Sequence, residues 1–276
     1  MDLPKIHSIT KKIFVALVGG FLLVFLLFHM TANLLILRHD GGEWYSAFCH
    51  FMGTNLLVKI AEIGLLGFIA LHILLTMWLA VTNRLARPVR YHHRSRSKTH
   101  SGSKLMIWTG VLILACIAIH FYDFYFVKVG LVKGEYMVKV ENLSKLNEKA
   151  MADEDVAAVF YRGFEEGNIS PDGKWLHHIT YEERTLLKDR APEADPEPDF
   201  YYMTREKFSH LHIVIGYLFF FLILFFHLRH AFPSVFQTLG LNNYKYNKAI
   251  EVLGKIYTWI VVLGFACVPI LVYLGL

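Results

Sequence analysis

Five long runs of apolar residues, at 13–37, 56–82, 105–127, 212–232 and 252–274, are separated by polar connections. Each run is long enough to cross a bilayer as a helix, which takes about twenty residues. None shows the polar stripe of a surface helix. The pattern predicts an all-α membrane protein, a five-helix transmembrane bundle forming one integral domain over 1–276. The first run is longer than the apolar core of a cleavable signal, and no small-residue cleavage site follows it. One connection, 129–205, is acidic and polar and ends in a proline-rich stretch at 191–199. It reads as an insertion between the third and fourth spans, with helix expected around 141–161.

Charge sets the expected orientation. The formal net charge of +5 is unevenly spread: Lys5, Lys11 and Lys12 precede the first span, and seven cations from Arg84 to Lys104 crowd the second connection. Arg229, Lys245, Lys248 and Lys255 form a third group. The positive-inside rule makes these three segments cytoplasmic, with the amino terminus inside, the carboxyl terminus outside and the insertion external. The basic stretch YHHRSRSKTH, ending at His100, lies beside two spans. There it marks orientation, lipid headgroups or a soluble partner rather than nucleic acid.

The candidate chemistry is histidine. His29, His72, His120 and His227 each sit inside a different span, where an ionisable side chain is costly and normally faces the protein interior. A rise of about 1.5 Å per residue places His29 and His120 in the outer half and His72 and His227 in the inner half. Zinc needs three or four protein ligands, and no cysteine or carboxylate joins either pair. Haem iron needs only axial ligands from the protein, so the pairs point to two haems at two depths. The plain alternative is that each histidine is a polar contact between helices. Eleven residues before three of the ligands stand Ala61, Thr109 and Gly216, small enough to let a haem at the other level approach; Val18 precedes His29. Cys49, Cys116 and Cys267 have neither disulfide nor metal spacing, and no CxxCH motif is present. His177 and His178 lack partners at metal spacing and read as surface histidines.

At this point the chain resembles a known family. HSITKK before the first span, HFMGTN and AEIGLLGFIALH through the second, TGVLILACIAIH in the third and HLRHAFPSVFQTLGLNN after the fourth resemble the cytochrome b membrane anchor of succinate dehydrogenases and fumarate reductases. The likeness is to its single-polypeptide, five-helix, dihaem form. The resemblance implies two haem b groups on His29, His72, His120 and His227, and flavoprotein and iron–sulfur subunits on the cytoplasmic face of a bacterial membrane. It also implies electron transfer between succinate or fumarate and a quinone, usually menaquinone. Three features depart from the family: Ala231 replaces a frequent glycine, the external connection is long, and Phe225 stands where some members carry a glutamate implicated in proton transfer.

Other residues take expected roles around that scheme. His230 is a contact of the inner haem propionates or an alternative ligand to His227. Arg84, Arg87, Arg229 and Lys104 lie where inner propionates would seek cations, and Arg38 could serve the outer haem. Quinone candidates are Glu43, His50, Glu62, Asp123 and His212. No flavin or dicarboxylate site is visible, so the chain alone should not oxidise succinate. Two alternatives stand beside this reading: the cytochrome b subunit of a hydrogenase or formate dehydrogenase, and a haem-free transporter.

Overall fold

A computed structural model describes residues 8–86 and 101–276, the side chains of 8 and 101–104 excepted. Lys5, Arg87 and most of the basic second connection lie outside the described residues, as does the side chain of Lys104. In chain order the helices open with α1 (Ser8–Asn33), a short 3-10 turn at Leu34–Leu37, α2 (Glu43–Thr54) and α3 (Leu56–Leu85). Next come α4 (Ser101–His120), a π-helical turn at Phe121–Tyr125 and α5 (Phe126–Lys128). Strand β1 (Tyr136–Lys139) leads to α6 (Val140–Leu143), α7 (Glu148–Met151) and α8 (Glu154–Glu165). Then follow β2 (Trp175–Ile179), α9 (Tyr181–Arg190), β3 (Glu197–Pro198), α10 (Phe200–Phe208), α11 (Leu211–Thr238) and α12 (Asn247–Tyr273). Five helical segments, Ile9–Leu37, Leu56–Leu85, Leu105–Lys128, Leu211–Thr238 and Asn247–Tyr273, are long and apolar enough to cross a membrane. This is the architecture of a multi-pass membrane protein.

The chain divides into two compact units. The first comprises 1–32, 56–115 and 216–267. Within it α1, α11 and α12 share a core of Val18, Leu23, Leu224, Leu228 and Val261. The Tyr257 hydroxyl, in the middle of α12, donates to the Leu23 carbonyl at 2.6 Å, and the Phe221 and Phe265 rings stack at 5.6 Å. Gly264 lets the helices close: a Cβ there would lie 2.8 Å from Met30 Cγ. By contrast α3 has no buried residue. Its leucines and isoleucines, among them Leu57, Ile63 and Leu74, are exposed, as side chains solvated by hydrocarbon would be.

The second unit comprises 33–55, 116–215 and 268–276. The polar insertion is no loop: it contains a three-stranded antiparallel sheet in the order β2-β1-β3. Tyr136, Met137 and Val138 of the central strand are all buried, because both faces of that strand are covered. Helix α8 turns Val156, Val159 and Phe160 inward, where they meet Leu176, Ile179, Leu187 and Met203. The helix expected near 141–161 is present as three pieces, broken at Ser144 and Ala152. Thr180 and Glu183 form a reciprocal capping box that starts α9. Helix α2, which the hydropathy pattern did not reveal, starts at Gly42, whose φ of 90° is left-handed. Any Cβ at Gly42 would lie 2.6 Å from the Tyr201 ring, so the turn demands glycine on both counts.

Candidate functional site

In the first unit His72 of α3 and His227 of α11 face small residues on neighbouring helices. The His72 ring lies against Gly19 of α1, where an added Cβ would sit 3.7 Å from Cε1. The His227 ring lies against Gly110 of α4, with the equivalent distance 3.8 Å. His227 Nδ1 is 3.1 Å from Thr109 Oγ1. That hydroxyl also stands 3.1 Å from the carbonyls of Leu105 and Met106. With its single hydrogen turned toward them, it can only accept from the ring. In that arrangement the ring proton would sit on Nδ1, leaving the Nε2 lone pair for a ligand bond. Among the described residues His72 Nδ1 is buried with no hydrogen-bond partner, a costly state for a polar atom. The electrostatic neighbours of His227 are His72 and His230, so sequence positions 155 apart converge in one unit.

Among the described residues no group of three or more histidine, cysteine, aspartate or glutamate side chains is arranged to hold a metal ion. Two imidazoles alone do not make a zinc site. They do satisfy a metal whose equatorial ligands come with it, as in haem. An unpartnered buried nitrogen, a ring oriented by a second hydrogen bond and glycines beside both rings fit such a group.

His29 and His120 are described each in its own unit. In the first unit His29 stacks on Phe25 at 5.3 Å and meets the Phe265 ring at 5.7 Å. In the second His120 meets Phe124 at 5.2 Å and closes α4 at the π-helical turn. The turn changes the place of Asp123. In a regular helix a residue three further on would share the His120 face. The wider i to i+5 winding rotates it away, and Asp123 is buried in an ion pair with Lys207 of α10.

No protein-family model, curated protein or solved structure matches the chain. The assignment of function therefore stands on the residues.

The remaining candidates are scattered. Arg84 is exposed in the last turn of α3. Arg38 pairs with Asp40 at 2.9 Å and lies over the Trp44 ring. Glu43 occupies the first turn of α2, and Glu62 is half-buried on α3. His212 is exposed and stacks on His210. His50 Nδ1 lies 2.8 Å from Glu197 of β3. Arg229 lines a cleft with Phe225, Lys255, Thr258 and Trp259. Of the eleven-residue positions, Thr109 meets His227 directly, whereas Gly216 has open space where a side chain would be.

One group went unread in the sequence. His177 is not a surface residue: it is 2 % exposed, and its Nδ1 lies 2.7 Å from Asp199, which is fully buried. Asp199 also caps α10 by accepting from the Tyr202 amide. His178, half-buried, bonds Glu135 at 2.9 Å, which raises its pKa. The sequence showed the two histidines but not their carboxylates, which lie 22 and 43 residues away. Cys49 is next to this region, its thiol pushed up to about 12 by burial and by the charges of Glu197 and Asp199.

Proposed function

We propose that the chain is the dihaem cytochrome b anchor of a succinate:quinone oxidoreductase, passing electrons between a cytoplasmic iron–sulfur subunit and membrane quinone, menaquinone by resemblance. The observation that carries this reading is the convergence of His72 and His227 in one unit, with Thr109 Oγ1 3.1 Å from Nδ1 of one imidazole. A haem bound there supplies one-electron transfer. His72 and His227 would hold it, with Gly19 and Gly110 beside their rings and apolar helix surfaces around them. In this proposal His29 and His120 hold a second haem nearer the outer face, and His230 stands beside the inner one. With both histidines bound to it, the iron would carry electrons rather than react with oxygen, so the proposed role is conduction. Succinate chemistry belongs to a flavoprotein partner.

The proposed orientation follows the cation distribution: amino terminus inside, carboxyl terminus outside, the folded insertion external; a bacterial cytoplasmic membrane is what the resemblance implies. The test is purification in mild detergent, a reduced-minus-oxidised spectrum and identification of bound soluble subunits. Two b-type haems per chain with a flavoprotein and an iron–sulfur protein are expected. Hydrogenase or formate dehydrogenase subunits in their place would move the chain to another respiratory enzyme. A spectrum without a b-type signal would leave a haem-free transporter.

A further inference from the structure

The cleft between α11 and α12 has a composition that conduction does not use. It measures about 120 Å³ and is lined by Phe225, Arg229, Lys255, Thr258 and Trp259. Arg229 is exposed and has no ion-pair partner among the described residues. Lys255 reaches Glu251 at 3.0 Å, so the three charges leave a net positive site. The Thr258 hydroxyl donates to the Gly254 carbonyl and has no proton left for a ligand. Phe225 and Trp259 close the apolar side, ring centroids 4.8 Å apart.

We propose that this cleft binds the phosphate of an anionic phospholipid, with Arg229 and Lys255 on the headgroup and the Phe225 and Trp259 rings against the start of an acyl chain. Three observations point to that occupant. First, the planar fork of a guanidinium at headgroup depth matches phosphate oxygens two at a time. Second, the helix surfaces on either side are exposed and apolar, with Leu222, Phe226, Ile256 and Ile260 between 44 % and 52 % accessible. A soluble anion gains nothing from such a surround, whereas an acyl chain does. Third, the cleft is turned away from the imidazole: Arg229 follows His227 by two residues, roughly 200° around α11. A tryptophan beside a cation is the usual composition at headgroup depth. The site requires a membrane setting but not the electron-transfer reading.

The experiment uses the full chain with whatever subunits it retains. Thermal stability is followed in nanodiscs of zwitterionic lipid as phosphatidylglycerol is added, and separately with inorganic phosphate; bound lipid is counted by native mass spectrometry. Wild-type protein should retain phosphatidylglycerol and be stabilised by it, with no response to inorganic phosphate at the same concentration. Arg229→Gln with Lys255→Gln should bind phosphatidylglycerol roughly thirtyfold more weakly, about fivefold for each cation lost near the surface. Arg229→Lys should retain most of the binding, and Lys245→Gln, outside the cleft, should match wild type. Equal stabilisation by phosphate, or no preference for phosphatidylglycerol in the wild type, overturns the site without needing any variant to fold. Unchanged lipid retention in the double variant overturns it too, whether the variant loses haem, which would make the cations propionate contacts, or loses its soluble subunits, which would make them a protein dock.

Discussion

Thr109 and His227 stand 3.1 Å apart on different helices, the hydroxyl oxygen facing Nδ1 of the ring. A hydroxyl that donates to its own helix accepts from the ring, which would put the imidazole hydrogen on Nδ1. Thr109→Val keeps the shape and removes the acceptor. If the chain holds the two haems proposed above, it should shift the low-spin resonance and the midpoint potential of one and leave the other unchanged, while Thr109→Ser should restore both. Paramagnetic resonance with redox titration reads this; identical spectra for Thr109→Val and wild type would remove Thr109 from the site.

Under the proposed haem binding, Gly110 offers a steric version of the same test. A Cβ at this position would meet His227 Cε1 at 3.8 Å, an ordinary contact, so Gly110→Ala should retain wild-type haem content. Gly110→Leu should push the ring aside and reduce haem per chain by about half. Haem extraction and quantitation give the answer, and full haem content in the leucine variant would contradict the placement of His227 as a ligand.

Asp199 serves two partners at once, the His177 ring and the first turn of α10. Asp199→Ala leaves a buried imidazole unpaired and a helix uncapped, which should destabilise the insertion by about 3 kcal/mol. Asp199→Asn keeps an acceptor and should cost less. Limited proteolysis across 129–205 in urea would measure both; an alanine variant as resistant as wild type would show the pair to be incidental.

His178 gives the insertion a dependence on pH. Its pKa is raised first by the hydrogen bond to Glu135, with Asp199 adding to it and burial and Arg162 opposing. A pKa higher when folded than when unfolded means that the native state binds the proton more tightly. The stabilisation is therefore complete below the ordinary histidine value of about 6.5 and fades as pH rises through the higher folded value. Amide protection over 175–179, corrected for intrinsic exchange, should decline from pH 6 to pH 8. In His178→Gln the decline should be shallower, and an equal slope would reject the assignment.

Cys49 should resist alkylation. With the thiol pushed up to about 12, burial being the main cause, little thiolate exists at pH 8. Peptide-level mass spectrometry should find Cys49 unmodified by iodoacetamide in the native chain and fully modified after denaturation. Rapid native labelling would show that the α2 segment opens readily.

The spans were legible because crossing hydrocarbon imposes one long-range rule on composition, and helices at 56–85 and 211–238 obey it without ambiguity. His72 and His227 could be matched by counting rise along two helices. Thr109 was visible as a small residue, but not as the partner of a ring 118 positions away. The π-helical turn has no sequence signature, and it moved Asp123 off the face that regular winding assigns. The insertion was harder still. Strands of four, five and two residues carry too little pattern to detect, and its ion pairs join residues that only folding brings together.

The strand order of the insertion constrains how it is made. The central strand is synthesised first and each neighbour later, so one flank of β1 waits for Trp175 and the other for Glu197. Until residue 197 has left the ribosome, β1 presents bare amides and carbonyls that another chain can pair with. A nascent chain halted in the proline-rich stretch should accordingly be the form most prone to clumping, and the few residues from 197 to 199 act as the latch that ends that hazard.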